Sequence, residues 1–149
     1  MKSKQVLSIE QMKHLQRLGL DTSDASMYWA RVSHGSRIDD KSKGVWFLSL
    51  QKEFQTCGFM SYEILPTYTL QDILDKLPPI IDEVYWLTLE VMDRQKNEWK
   101  IKYARINAEY ECASFSSEKP IDAAYYMLCW CIEKGYVKVK EDKDGRKEN

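Results

Sequence analysis

Two cysteines one residue apart, Cys129 and Cys131, are the first residues here whose type and spacing suggest chemistry. In a strand such a pair points one way and presents two thiolates to one metal ion. They stand in IDAAYYMLCWCIEKGY (121–136), preceded by Pro120, with Asp122 early, Lys134 late and Gly135 just beyond. Those signals predict a helix. At helical pitch the two thiols lie roughly 200° apart, so they do not share an ion and read as small buried hydrophobes. Cys112 and Cys131 can meet across a core, but no second chelate accompanies them and both histidines are distant in sequence. No metal or cofactor site is expected.

A nucleophilic reading selects Cys57, in TCG, with His34 as its base. A thiol becomes a nucleophile only beside a base that takes its proton, and nothing but residue type connects these two. Asp39 and Asp40 read as solvated loop carboxylates, and His14 falls on the polar side of the first helix. A nucleic-acid reading uses Arg94, Lys96, Lys100, Lys102 and Arg105, since alternate strand residues share a side and can track phosphates. Glu98, Glu109 and Glu111 lie close enough to neutralise that stripe, and no exposed stacking aromatic is assigned beside it.

Lys plus Arg number 22 against 23 Asp plus Glu, which supplies no global field for a polyanion. Five Trp, nine Tyr and four Phe in 149 residues argue for a packed interior. The start, MKSKQVLSIEQMKHL, has no apolar run of signal-peptide length, and no segment approaches a membrane span. Four cysteines without a secretion signal fit reduced thiols. The expectation is a cytoplasmic protein.

The elements that position these residues follow from local signals. Ser8 and Gln11 form a capping box for a helix over 9–18 that Gly19 stops, and DTSDAS then loops. MYWARVS (27–33) and VWFLSL (45–50) predict a hairpin with a long tip, and FMSYEIL (59–65) a third strand ended by Pro66. Thr69 introduces LQDILDKL, whose leucines and isoleucine recur at helical spacing until Pro78-Pro79.

Three strands follow, at 84–92, 98–106 and 109–115, as an antiparallel meander. A two-residue turn at Asn107-Ala108 would put Trp99, Ile101 and Tyr103 on one face with Tyr110 and Cys112. Lys100, Lys102, Glu109 and Glu111 would then form a charge ladder on the other. YVKVK after Gly135 reads as a further short strand. The whole is one α+β domain (1–137) with a solvated tail (138–149), in which about three helices pack on antiparallel sheet. Two small sheets are the alternative to one.

On the last helix Ile121, Ala124, Tyr125, Leu128, Cys131 and Ile132 form the face that packs on the sheet, while Tyr126 and Trp130 lie on the other side. That pair needs a cover: the first helix through Met12, Leu15 and Leu18, a partner or second copy, or solvent.

SIEQMKHLQRLGLDTSDASMYW, TYTLQDILDKLPPII and FSSEKPIDAAYYMLCWCIEKGY together resemble a family of small proteins of prophages and mobile elements in gut anaerobic bacteria. The resemblance spans most of the chain, outside 33–60. It implies a bacterial setting and no activity, cofactor or catalytic residue. The expected function is that of a non-enzymatic accessory or interaction protein, with a nucleic-acid-associated protein or a Cys57-dependent enzyme as alternatives.

Overall fold

A computed structural model of the chain describes residues 4–34, 44–52, 61–93, 95–106 and 110–140. Helix α1 (Ile9–Arg17) begins as its sequence dictates: Ser8 Oγ accepts from the Gln11 backbone N–H, and the Gln11 side chain accepts from that of Ser8. It ends where Gly19 adopts φ 95°, which lets Leu20 N–H reach back to the Leu15 carbonyl at 3.1 Å. Thr69 and Asp72 make the same reciprocal cap for α2 (Leu70–Lys76). Helix α3 (Pro120–Glu133) closes like α1: Gly135 turns at φ 82° and Tyr136 N–H bonds the Cys131 carbonyl at 2.8 Å.

The strands form two antiparallel sheets rather than one. Strands β1 (Met27–His34), β2 (Phe47–Ser49) and β3 (Ser61–Thr67) make the first, in order β2-β1-β3. Pro66 lies inside β3, opposite Tyr28, and does not end it as expected. An edge strand tolerates a residue without an N–H. The tip 35–43 of the β1–β2 hairpin lies outside the described residues. The N-terminal segment is stitched to this sheet through Leu7, whose carbonyl accepts from Trp29 Nε1 (2.9 Å) and Thr67 Oγ1 (2.7 Å).

The second sheet runs β4-β5-β6-β7, from β4 (Ile80–Ile81), β5 (Tyr85–Asp93), β6 (Glu98–Ala104) and β7 (Glu111–Ser117). The meander is as expected; the two-residue β4 is an addition. It folds back on β5 through Asp82 and Glu83, both at positive φ (50° and 65°), the conformation of a type I′ hairpin turn. The β6–β7 register differs in part from expectation. Ala104 faces Glu111, but a bulge then moves the ladder by one residue, so Tyr103 faces Ala113 and Ile101 faces Phe115. Ala113 and Phe115 therefore replace Tyr110 beside the core residues of β6, and Tyr110 is exposed.

Helix α3 packs on β6 and β7 and against α2, and its Ile121, Ala124, Leu128 and Cys131 are wholly or almost wholly buried in one core with Met12, Leu15, Ile73, Ile101 and Tyr103. Residues 136–140 form no strand. They run past α1, with Lys140 N–H on the Gly19 carbonyl at 3.0 Å and Val139 packed on the core. Residues 138–140 thus belong to the folded unit and not to a solvated tail.

Candidate functional site

The two thiols of α3 part as helical geometry requires. Cys131 Sγ lies 3.9 Å from the Tyr103 hydroxyl in the core, while Cys129 neighbours Tyr125. Burial pushes both thiols up to about 11, against the opposing hydrogen bonds of those tyrosines. Burial, with Asp82 nearby, also raises the Cys112 thiol. These groups are held as protonated thiols at neutral pH, the opposite of what nucleophilic catalysis requires. Among the described residues no three His, Cys, Asp or Glu side chains gather in metal-binding range. Cys57, Asp39 and Asp40 lie outside the described residues, and His34 closes β1.

Tyr126 and Trp130 make different ring contacts. Trp130 sits between Tyr103 (6.3 Å between centroids) and Tyr136 (5.6 Å), so the chain leaving α3 covers it. The ring contact of α1 goes to Tyr125, from His14. Tyr126 leans on Phe115 and Tyr125 and stays 45% exposed.

The basic stripe is also divided. Lys100 pairs with Glu111, and Lys102 bridges Glu90 at 3.1 Å and Glu111 at 4.0 Å. Lys96 lies in the β5–β6 turn, Arg105 follows β6, and Arg94 and Glu109 lie outside the described residues. Of the charge ladder expected on β6 and β7, Lys100, Lys102 and Glu111 stand as expected, extended by Glu90 of β5, and hydrogen bonding to Lys100 holds the Glu111 carboxyl below its ordinary range.

The feature that sequence reasoning missed lies on that same face. Leu87, Leu89, Ile101, Tyr103 and Phe115 point to α3, so the opposite parity of β5 and β6 faces away from it. There Trp86 is 47% exposed beside Ile80 of β4, which is 38% exposed. Across the strand from Trp86 stands Ala104, a small residue that leaves the indole proud of the sheet. Val84 and Ile106, both exposed, flank this end of the sheet. An exposed stacking aromatic thus does stand beside Lys102. The aromatic pair Tyr85-Trp86 before Leu87 marks a strand but not which parity meets solvent, so the sequence signal is weak.

An open cleft of about 520 Å³ lies between the turn after α1 and the first sheet, lined in part by Gln16, Thr22, Tyr28, Ile64 and Pro66. Its polar groups are engaged internally: Gln16 Nε2 donates to Thr22 Oγ1 at 3.1 Å, and Ser23 N–H donates to Asp21. No buried side-chain N or O among the described residues lacks a partner. The cleft therefore aims no unpaired buried group at a ligand.

No protein-family model, curated protein or solved structure matches the chain. Among the described residues no helix is long and apolar enough to cross a membrane.

Proposed function

We propose that this chain is a non-enzymatic interaction protein that docks a macromolecule on the outer face of its four-stranded sheet. The observation that carries the reading is Trp86, half-exposed on a sheet face that lies opposite α3 and bordered by Ile80. Large aromatics surrounded by polar residues are the side chains that most often dominate binding energy. The polar border here is Thr88, Glu90 and Lys102. The setting proposed is the cytoplasm of a bacterium carrying a prophage or mobile element, which rests on the resemblance of the three stretches above and on the free thiols Cys112, Cys129 and Cys131.

A photo-crosslinking side chain in place of Thr88, which is exposed on this face, tests the reading in bacterial cells, with Gln71 on α2 as control position. Protein adducts are expected from position 88, reduced by Trp86→Ala, and not from position 71. Equal yields at the two positions would overturn it. Nuclease-sensitive adducts would transfer the face to nucleic acid, a reading that Trp86 beside Lys102 favours and the Glu90 and Glu111 ion pairs oppose.

A further inference from the structure

We infer that the open cleft between the turn after α1 and the first sheet binds a small carboxylic acid, its apolar body on the sheet and its negative charge against Lys52 and Lys140. None of the residues lining the cleft belongs to the second sheet, so this site is separate from the docking face proposed above.

The size suits such a ligand. About 520 Å³ lies within the range of roughly 300–1,000 Å³ common for small-molecule sites. One wall is apolar for a reason that strand pairing supplies. Tyr28 of β1 stands opposite Pro66 of β3, and Ile64, two residues before Pro66, shares its side of the sheet. All three are only partly buried, so a ring, a proline and a branched side chain are left for a ligand to cover.

The charge comes from outside that wall. Lys52 and Lys140 both line the cleft, and neither makes an ion pair among the described residues. The backbone that carries Lys140 is fixed beside the cleft: its N–H bonds the Gly19 carbonyl at 3.0 Å, and a Cβ added at Gly19 would lie 3.2 Å from Val139 Cβ. Among the described residues the one carboxylate of the lining is Asp21, and Ser23 occupies it. The Ser23 N–H donates to it at 3.0 Å, and the bonds from Ser23 keep this carboxyl below its ordinary range. Two cations against one anion leave an excess of one positive charge. That excess matches a carboxylate better than a phosphate ester, which carries up to about two negative charges at neutral pH. The Tyr28 hydroxyl, half-buried and without a hydrogen-bond partner among the described residues, adds a neutral donor to the same lining. A ligand of about a dozen non-hydrogen atoms at ordinary efficiency binds with a dissociation constant of the order of 1 mM.

Amide NMR of the full chain tests the inference, with 3-phenylpropionate as the probe and 3-phenylpropionamide and phenyl phosphate for comparison. The carboxylate is expected to move the amide signals of residues 20–23, 28, 64 and 140 in a saturable way at millimolar concentration. The uncharged amide should bind roughly fivefold more weakly, the worth of one or two exposed charge pairs. Phenyl phosphate should bind no more tightly than the carboxylate. Lys140→Gln and Lys52→Gln, each of which removes one charge and keeps the backbone, should weaken binding several-fold. Lys96→Gln, in the β5–β6 turn, should leave it unchanged. Circular dichroism verifies that each variant is folded. The inference is overturned by the absence of a saturable shift, by equal binding of the amide, by tighter binding of the phosphate ester, or by equal responses to Lys140→Gln and Lys96→Gln. Saturable shifts confined to the second sheet would place the ligand elsewhere and overturn it as well.

Discussion

Trp130 stacks on Tyr136, ring centroids 5.6 Å apart and planes 25° from parallel. The two residues are neighbours only because Gly135 turns the chain back at φ 82°. The hydroxyl of Tyr136 is in turn anchored on Asp82 Oδ2 at 2.7 Å, a bond that, with burial, moves the phenol up to about 12. Trp130 is thus an internal packing residue, and Trp130→Ala should cost about 3 kcal/mol, the lower end for a tryptophan truncation because the indole is half-buried. Urea unfolding measures it. Wild-type stability in the variant would mean that the ring pair does not form.

The β4–β5 turn carries a removable strain. Glu83 holds φ 65°, where a side chain with a Cβ costs about 1–2 kcal/mol, and glycine there would recover this less about 0.5–1 kcal/mol of unfolded-state entropy. Glu83→Gly is expected to stabilise the protein by about 0.5–1 kcal/mol in the same unfolding measurement. A destabilised variant would contradict the left-handed turn.

Asp122 ties three segments together. Its carboxylate accepts from Lys4 Nζ at 2.7 Å and Gln11 Nε2 at 3.0 Å, and Gln11 also closes the cap of α1. Burial alone would raise this carboxyl; the two donors outweigh it and hold it below its ordinary value. A depressed folded pKa stabilises fully above the unfolded value near ~3.9 and ceases to as pH falls through the folded one. The stability gap between wild type and Asp122→Asn should be constant above about pH 5 and should close below about pH 4. A gap that persists undiminished to low pH would assign it to packing instead.

Thiol labelling at neutral pH reads the core directly. A thiol moved from 9.0 to about 11 carries roughly 100-fold less thiolate. In the native protein Cys129 and Cys131 should therefore label at least 100-fold more slowly than in urea, by peptide mass spectrometry. Fast native labelling at either would reveal local opening of α3.

Two glycines of the same backbone class should respond differently to alanine. At Gly135 an added Cβ meets nothing within 4 Å, so Gly135→Ala should cost only the left-handed strain, about 1–2 kcal/mol. At Gly19 it would lie 3.2 Å from Val139 Cβ. Gly19→Ala should cost measurably more and should free residues 138–140, seen as faster amide exchange at Lys140. Equal costs would mean that Val139 yields freely.

What was legible in the sequence had local causes. The cap at Ser8–Gln11, the start of a helix after Thr69 and the stops at Gly19 and Gly135 need only neighbouring residues, and all four stand where the pattern put them; the reciprocal bond of Asp72 to Thr69 is an addition. The meander of β5, β6 and β7 followed from alternation. The bulge between Tyr103 and Ala104 did not, because one extra residue exchanges faces without changing composition. Pro66 was misplaced because its cost depends on whether its strand is at an edge, which only topology decides. Trp86 and Trp130 are equally hydrophobic as letters. One is half-exposed on the sheet's outer face and the other lies under Tyr136, a difference set by contacts between remote segments.

The placement of α3 also orders events at the ribosome. The helix that covers the inner face of the second sheet follows, among the described elements, all seven strands. While residues 85–117 emerge, Leu87, Leu89, Ile101 and Phe115 lack the α3 side of their core, and Trp86 is exposed on the reverse side. At about 5–20 residues per second the nascent sheet waits on the order of a second for α3. During that interval the chain is at its most adhesive, and whatever shields it then acts before the finished protein exists.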